Sequence, residues 1–222
     1  MGRLIVYGDI HGCYEELNAL RKKIKITQKD TEICVGDFVN KGKDTIKVLN
    51  LLMKENIQSV LGNNEEKLIR YINHEKTKEN SNPVFLDEGY IKELTNKHKK
   101  YIQELPLYIK IDNYTILHGG LQNSMNLKKL SKRDKEKIIR LRYLDKNGGF
   151  LPLRHNETEI TFWADIYDGH EGFILYGHQP FEEVRYNKYA LGLDTGCVYG
   201  NKLSAAVIDE KGEIEVIQIN KF

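Results

Sequence analysis

The sequence predicts an α/β fold in a single domain. Residues 3–61 alternate short apolar runs with stretches of helical periodicity, an order typical of parallel β-α-β units. Residues 173–219 contain short apolar runs separated by turn residues, as hairpins do. The 222 residues are near the size of one domain with a substantial core, and they show no internal repeat or linker, so we interpret residues 1–222 as one domain.

The first elements have a strand, helix, strand order. Leu17, Leu20 and Ile24 recur at helical spacing and predict a helix whose apolar face covers a sheet. The apolar runs around it are short and rich in β-branched residues, which predicts strands. Strands are expected at residues 3–7, 32–35 and 58–61, and helices at 14–26 and 44–56.

The stretch from residue 66 to residue 110 differs in character. It is charged, lacks strong strand signals and contains a loop-like segment at 80–83, so we interpret it as a helical cap inserted between strands. Two roles stay open: a solvated lid without chemistry, or one wall of a substrate cleft. His74 and His98 have no partners at ligand spacing, and we expect both at the surface.

Two later segments complete the prediction. Residues 126–147 form a basic stretch interpreted as helical, in which Arg140 and Arg142 stand among apolar neighbours. A guanidinium group suits phosphate oxygens because it donates two parallel hydrogen bonds. Further strands are expected at residues 114–117, 173–176, 190–193, 203–208 and 214–219.

Polar residues follow five of the predicted strands. A single Asp-x-His after a strand is more typical of a turn or helix cap than of a metal site. Here polar residues directly follow an apolar strand at five places, and we therefore expect these side chains to meet at one rim of a sheet. The motifs are Gly8-Asp9-Ile10-His11-Gly12, Gly36-Asp37-Phe38-Val39-Asn40-Lys41-Gly42, Gly62-Asn63-Asn64-Glu65, His118-Gly119-Gly120 and Gly177-His178.

Composition narrows the class of protein. The net charge of +2 is spread along the chain, which gives no sign of specific nucleic-acid binding. Cys13, Cys34 and Cys197 are odd in number and widely spaced, as expected of reduced thiols rather than a disulfide framework. No apolar run approaches ~20 residues, and the first apolar segment does not resemble a signal peptide, so we expect a cytoplasmic protein without a membrane partner. Nothing in the sequence specifies an oligomeric state.

The ordered motifs resemble those of the calcineurin-like metallophosphoesterases, within the phosphoprotein phosphatase superfamily. Cys13-Tyr14, the Asn40-Lys41 variant and residues 194–200 are similar to the bacterial diadenosine tetraphosphatase and ApaH-like branch. The resemblance spans residues 4 to about 208. It implies a β-sandwich of two mixed sheets flanked by helices, with residues 173 onward in the second sheet.

The resemblance also implies a centre of two divalent metal ions that share a bridging hydroxide as nucleophile. One ion would be held by Asp9, His11 and Asp37, and the other by Asp37, Asn63, His118 and His178. Carboxylate, amide and imidazole ligands suit such ions. Manganese is our first choice, with iron, zinc, cobalt, nickel or magnesium as alternatives.

Two positions depart from the family pattern. Asn64 replaces a histidine that protonates the leaving group, and Asn40 replaces the aspartate that orients it. Either the site has lost general acid catalysis, worth ~10²–10⁴-fold, or its substrate leaves as a stable anion. We favour the second explanation and assign Asp37, Asn64 and Asn40 to the catalytic set.

Three cations are candidate substrate contacts. By analogy with a phosphate-clamping arginine of the family, Arg142 is our first choice and Arg140 the second. Lys41 either faces solvent or places its charge near phosphate. Glu65 is interpreted as a helix-start residue rather than a catalyst, and Asp194 as an organiser of its loop rather than a ligand.

The sequence therefore leads to three functional hypotheses. The first is a metal-dependent phosphohydrolase acting on phosphoanhydrides, such as diadenosine tetraphosphate, polyphosphate or a capped RNA end. The second is a protein phosphatase acting on phosphoserine, phosphothreonine or phosphotyrosine in a phosphoprotein. The third is a non-catalytic nucleotide or phosphate sensor.

Overall fold

The computed structural model describes residues 2–77, 88–153 and 156–222. Within these ranges the strands are β1 (Leu4–Tyr7), β2 (Thr31–Cys34), β3 (Gln58–Ser59), β4 (Tyr108–Ile111), β5 (Tyr114–Leu117), β6 (Tyr143–Asp145), β7 (Ile160–Phe162), β8 (Phe173–Tyr176), β9 (Arg185–Asn187), β10 (Ala190–Gly192), β11 (Lys202–Ile208) and β12 (Ile214–Asn220). The helices are α1 (Tyr14–Ile24), α2 (Thr45–Lys54), α3 (Asn63–Thr77), α4 (Glu88–Ile91), α5 (Asn96–Gln103), α6 (Lys132–Ile138) and α7 (Trp163–Ile166), with 3-10 helices at Leu127–Lys129 and Cys197–Tyr199.

Two mixed five-stranded sheets form the sandwich, which confirms the predicted fold class. The first sheet has the order β12-β11-β1-β2-β3, and β1, β2 and β3 are parallel. The second has the order β4-β5-β8-β10-β9, and β5, β8 and β10 are parallel. A small third sheet pairs β6 with β7.

The placement of the last two strands in the second sheet was wrong. β11 and β12 belong to the first sheet, where β11 runs antiparallel to β1 from the Leu4–Ile208 pair to the Tyr7–Ala205 pair. All four residues of β1 are buried, so this strand needs a hydrogen-bonded neighbour on each side. β2 supplies one neighbour and β11 the other.

Side chains point alternately to the two faces of the first sheet, so two separate apolar cores form on these faces. Leu4 and Val6 of β1 pack between the sheets with Ile116 and Leu175 of the second sheet. Ile5 and Tyr7 of the same strand point to the opposite face, into a core that also contains residues of α1 and α2. Helices therefore cover the outer face of the first sheet, while a cluster around Trp163 covers the second.

The predicted cap is helical over its described part, but it ends in a strand, β4. Buried Leu68 and Ile102 of α3 and α5 join the same core as Leu52 of α2. The loop expected at 80–83 and the side chain of His74 lie outside the described residues. His98 is buried, not at the surface as predicted, because it caps α5 with Thr95 and its ring contacts Asn50 at 3.0 Å.

The basic stretch at 126–147 is helical only in part. A capping box of Ser131 and Asp134 begins α6, which ends at Ile138. Residues of β6 then pair with β7, for example Tyr143 with Phe162. This pairing is non-local, which a local pattern of charges does not reveal. None of the described helices has the length and apolarity needed to cross a bilayer.

Candidate active site

The strand ends bring the predicted polar residues together, although at two sheets rather than at one rim of a single sheet. Asp9 and His11 follow β1, Asp37 follows β2, and Asn63 begins α3 after β3. His118 and His178 follow β5 and β8 of the second sheet. The site therefore lies where the carboxyl ends of parallel strands from both sheets meet.

Contacts among five of these six residues close a ring. The Nε2 atom of His11 lies 3.8 Å from Asp9 Oδ2 and 3.5 Å from Asp37 Oδ2. His118 Nε2 lies 3.4 Å from Asp37 Oδ1 and 3.1 Å from His178 Nδ1. The backbone N–H of His178 donates to Asp9 Oδ1 at 3.1 Å, which completes the ring.

Asn63 joins the ring through His118, since its Oδ1 lies 3.2 Å from His118 Nε2. Three potential ligand atoms therefore lie close to His118 Nε2: this oxygen, Asp37 Oδ1 and His178 Nδ1. Ligands at ~2.1 Å from a tetrahedral ion stand about 3.4 Å apart. The distances of 3.1 to 3.4 Å around His118 Nε2 match that spacing, so the residues fit a divalent cation.

Backbone carbonyls set the tautomers of two imidazoles. His118 Nδ1 donates to the carbonyl of Val35 at 2.8 Å, and His11 Nδ1 donates to that of Val39 at 3.0 Å. Each ring therefore directs the lone pair of Nε2 into the site. Burial lowers the pKa of His11 to about 4 and also lowers the pKa of His118 and His178. Neutral imidazoles are the form that binds metals.

The buried carboxylates favour a cation. Burial, Asp194 and Asp37 together raise the pKa of Asp9 well above its usual range. Burial also raises the pKa of Asp194 to about 6, and its Oδ1 accepts the Gly196 N–H at 3.0 Å as expected of a loop organiser. Burial would raise the pKa of Asp37 as well, but His118, His11 and a backbone N–H lower it below the usual value. A divalent ion would offset the cost of burying these charges.

Close packing leaves two glycines no room for a side chain. A Cβ atom at Gly177 would lie 2.0 Å from Asp9 Oδ1, and one at Gly62 would lie 2.4 Å from Asp37 Oδ1. The loops that carry these candidate ligands are also strained, since His11 and His178 have φ angles of 44° and 73°. Strain of this kind clusters at functional sites, where the surrounding structure maintains it.

Glu65 holds the loop that carries Asp37. Its carboxylate is fully buried and accepts backbone N–H groups of Asp37 at 2.8 Å, and of Phe38 and Val39 at 3.0 Å. The Gly62 N–H donates to it at 3.1 Å. Burial and Asp37 raise the pKa of Glu65 to about 8, while these donors oppose the rise. Sequence reasoning missed this role, because an acidic residue in a first helical turn is usually interpreted as favouring the helix dipole.

Asn64 and Asn40 form a connected pair beside Asp37. Asn64 Nδ2 donates to Asp37 Oδ2 at 2.5 Å, and its backbone N–H donates to Oδ1 at 2.8 Å. The amide oxygen of Asn64 accepts Asn40 Nδ2 at 3.0 Å. Amides at both positions donate hydrogen bonds but do not exchange a proton near neutral pH. The pair therefore orients Asp37 without supplying a general acid.

The three candidate phosphate contacts have different partners. Lys41 Nζ lies 2.9 Å from His11 Nε2, at the edge of the ring of ligands. Arg142 donates to the carbonyl of His178 at 3.3 Å. Burial lowers the pKa of Arg142, and the negative charges of Asp37 and Asp9 oppose this change. Arg140 is instead engaged in an ion pair with Glu66 at 2.5 Å.

Sequence comparisons relate this chain to known proteins. Residues 2–208 match the family model described as calcineurin-like phosphoesterase. A protein of Oceanobacillus iheyensis named asymmetrical bis(5′-nucleosyl)-tetraphosphatase PrpE is 31% identical, over 99% of this chain and 94% of its own length. The Bacillus subtilis protein of the same name is 29% identical, over 90% of this chain and 88% of its own length.

Solved structures share the fold. One crystal structure, of a protein whose assignment as a diadenosine tetraphosphatase is provisional, superposes with a TM-score of 0.83 at 28% identity and covers 100% of this chain and 94% of its own. A serine/threonine phosphatase of Saccharomyces cerevisiae has a TM-score of 0.62 at 18% identity, covers 100% of this chain and 80% of its own, and supports the fold alone. The family match and the relatives together show that this chain belongs to the calcineurin-like phosphoesterases, a family of metal-dependent hydrolases.

Proposed function

We propose that this protein is a dinuclear metal-dependent phosphohydrolase that cleaves phosphoanhydrides, with dinucleoside polyphosphates as the leading substrate class. The observation that carries the proposal is the Asn40–Asn64 pair, which is hydrogen-bonded to Asp37, a residue of the ring proposed to bind metal. Relatives named as tetraphosphatases, at 31% and 29% identity, support the same substrate class.

Asp9, His11 and Asp37 would hold one ion, and Asp37 with Asn63, His118 and His178 the other, with manganese as first choice. Two divalent ions held there would neutralise phosphate oxygens and would lower the pKa of a water molecule, so that hydroxide is available to attack phosphorus. Asp37 is the residue that contacts both groups of ligands, through Oδ2 to His11 and Oδ1 to His118.

The leaving group follows from the chemistry of Asn64. Cleaving an alkyl phosphate releases an alkoxide that needs a proton, which general acids supply for a gain of ~10²–10⁴-fold. A nucleotide released from an anhydride is a stable anion and needs none. Asn64 donates to Asp37 and accepts from Asn40, so both ends of its amide position other groups. The site is thus suited to substrates whose leaving group departs as an anion, without protonation by a general acid.

Positive charge beside the ring would orient the phosphates. Arg142 is held against the His178 carbonyl and is half-buried, so its guanidinium is already ordered next to the site. Lys41 reaches His11 from the opposite loop. Arg140 would first have to leave Glu66, which places it behind Arg142 as a candidate phosphate contact.

Comparing three substrates with added Mn²⁺ tests this proposal. We expect turnover of diadenosine tetraphosphate to exceed that of an aryl phosphate and of a phosphoserine peptide. Asp37→Asn should abolish turnover, whereas Asp165→Asn, which alters an exposed ion pair with Arg185, should not. Preference for the phosphopeptide would indicate a protein phosphatase, and nucleotide binding without any turnover would indicate a sensor.

A further inference from the structure

Tyr199 is a large aromatic residue left exposed at the edge of the active site. Its side chain belongs to the 3-10 helix Cys197–Tyr199, and 65% of the residue is accessible to solvent. Lys41 Nζ lies 5.1 Å from the centre of the Tyr199 ring and 2.9 Å from His11 Nε2. The Lys41 ammonium group therefore lies between the Tyr199 side chain and the proposed metal ligand His11.

A second loop, which follows His178, lies next to the loop of Tyr199, since the Phe181 N–H donates to the Asp194 carbonyl at 3.0 Å. A Cβ atom built on Gly196 would lie 3.6 Å from Tyr199 Cδ2 and 3.7 Å from Pro180 Cβ, so the ring edge and Pro180 both lie beside Gly196. Pro180 follows His178 by two residues. Tyr199 thus lies near the site, close to the loop of Lys41 and on a loop next to the one that follows His178.

The loop that presents Tyr199 is firmly held. Gly196 and Gly200 take left-handed φ angles of 68° and 97°, and the Tyr199 N–H donates to the Gly196 carbonyl at 2.9 Å. Between them Cys197 is buried in the core of the first sheet. Before them Thr195 bonds to Ser204 at 2.6 Å. An exposed aromatic on an ordered loop loses little side-chain entropy when a ligand stacks on it.

We propose that Tyr199 is the binding platform for a nucleobase of the substrate, with Lys41 placed to contact the phosphates between the base and the Asp37 centre. This inference rests on the proposed function and names the part of a nucleoside polyphosphate that the protein recognises. Bases stack on aromatic rings without regard to their hydrogen-bonding edge, so the platform favours nucleotides over inorganic polyphosphate and does not select one base.

The experiment compares diadenosine tetraphosphate with inorganic tripolyphosphate, which has the same anhydride bonds and no base. Stacking is worth enough for Tyr199→Ala to lower the ratio of the two kcat/KM values about tenfold or more, mainly through KM for the dinucleotide. Tyr199→Phe keeps the ring and should keep the ratio. Tyr186→Ala removes an equally exposed tyrosine on β9, 63% accessible, and serves as the matched control.

A direct binding measurement separates this inference from the proposed function. In Tyr199→Trp, the new indole is exposed, whereas the natural Trp163 is buried. We expect adenosine tetraphosphate to quench the indole fluorescence and tripolyphosphate not to. Equal quenching by both, or an unchanged kcat/KM ratio in Tyr199→Ala, would overturn the platform. Absence of turnover with every substrate, while nucleotide still quenches, would refute the proposed function alone.

Discussion

Asn64 clamps both oxygens of Asp37, with its backbone N–H 2.8 Å from Oδ1 and its side-chain Nδ2 2.5 Å from Oδ2. Because these donors come from one residue at the start of α3, the helix and the loop that carries Asp37 are fixed to each other. Asn40 in turn orients the Asn64 amide at 3.0 Å. The same contacts that hold Asp37 leave the site without a proton donor at this position.

Asn64→His, combined with Asn40→Asp, should change substrate preference. A histidine oriented by a carboxylate can protonate an alkoxide leaving group, so we expect hydrolysis of a phosphoserine peptide to gain ~10-fold or more, relative to diadenosine tetraphosphate. Steady-state kinetics with both substrates measure this, and Asn40→Asp alone is the control. Equal effects on the two substrates would contradict the leaving-group explanation.

Glu65→Gln should destabilise the loop that carries Asp37. The carboxylate accepts four backbone N–H groups with two oxygens, whereas an amide keeps one oxygen and places N–H groups against the other donors. Leaving buried donors unpaired costs ~1–3 kcal/mol, so we expect a loss near ~2 kcal/mol in the free energy of unfolding and weaker Mn²⁺ binding. Unfolding is measured in urea above the Glu65 pKa of about 8, where the side chain is a carboxylate.

Glu66→Gln is the matched control for that change. Glu66 makes partly exposed ion pairs with Arg70 at 2.8 Å and with Arg140 at 2.5 Å, which are worth ~1 kcal/mol or less. A smaller loss than in Glu65→Gln, with Mn²⁺ binding intact, is expected. Equal losses in the two variants would show that Glu65 has no special role in holding the loop.

Much of the fold could be predicted because its strands and helices have strong local patterns. α1 and α2 begin and end within two residues of the predicted bounds, and β5 and β8 match them. Which strands pair with each other was harder to predict. β5 pairs in parallel with β8, more than fifty residues later, and β11 returns to β1 at the start of the chain. The sequence predicted that the polar residues meet at one rim of a single sheet, whereas they lie where two sheets meet. The difference arises because strand pairing of this kind is non-local.

The site was predictable in part for the same reason. Polar residues directly after apolar strands were located by position alone, since carboxyl ends of parallel strands lie together. Glu65 was not recognised, because its partners are backbone N–H groups that carry no sequence signal. The sequence ranked Arg142 above Arg140 only by analogy with the family, whereas the physical difference comes from the ion pair of Arg140 with Glu66 on a distant helix.

Lys41→Gln should strengthen metal binding. The Lys41 ammonium lies 2.9 Å from the Nε2 lone pair of His11, which cannot bind a cation and accept that N–H at the same time. Removing the charge should lower the apparent Kd for Mn²⁺ about threefold or more, because repulsion between the two cations is lost. Calorimetric titration measures this, with Lys43→Gln as a neighbouring exposed control. Weaker binding in Lys41→Gln would contradict the expected competition.

Asp30→Asn should reveal a pH-dependent contribution to stability far from the active site. Arg3 bonds to Asp30 Oδ2 at 2.8 Å, and this contact chiefly lowers the pKa of Asp30 to about 2. Because the folded pKa lies below the unfolded value of ~3.9, the stabilisation is fully present above about pH 4 and is lost as the pH falls towards 2.

The Asp30 side chain is 3% exposed but Arg3 is 32% exposed, so we expect ~1 kcal/mol after solvent screening. Urea unfolding of wild type and Asp30→Asn should differ by this amount at pH 6 and converge near pH 2. Asp112→Asn is a suitable control, because Asp112 is an exposed turn residue with φ 52°, a conformation that asparagine also adopts. A difference that persists unchanged at low pH would mean that Asp30 acts through its shape and hydrogen bonds rather than through its charge.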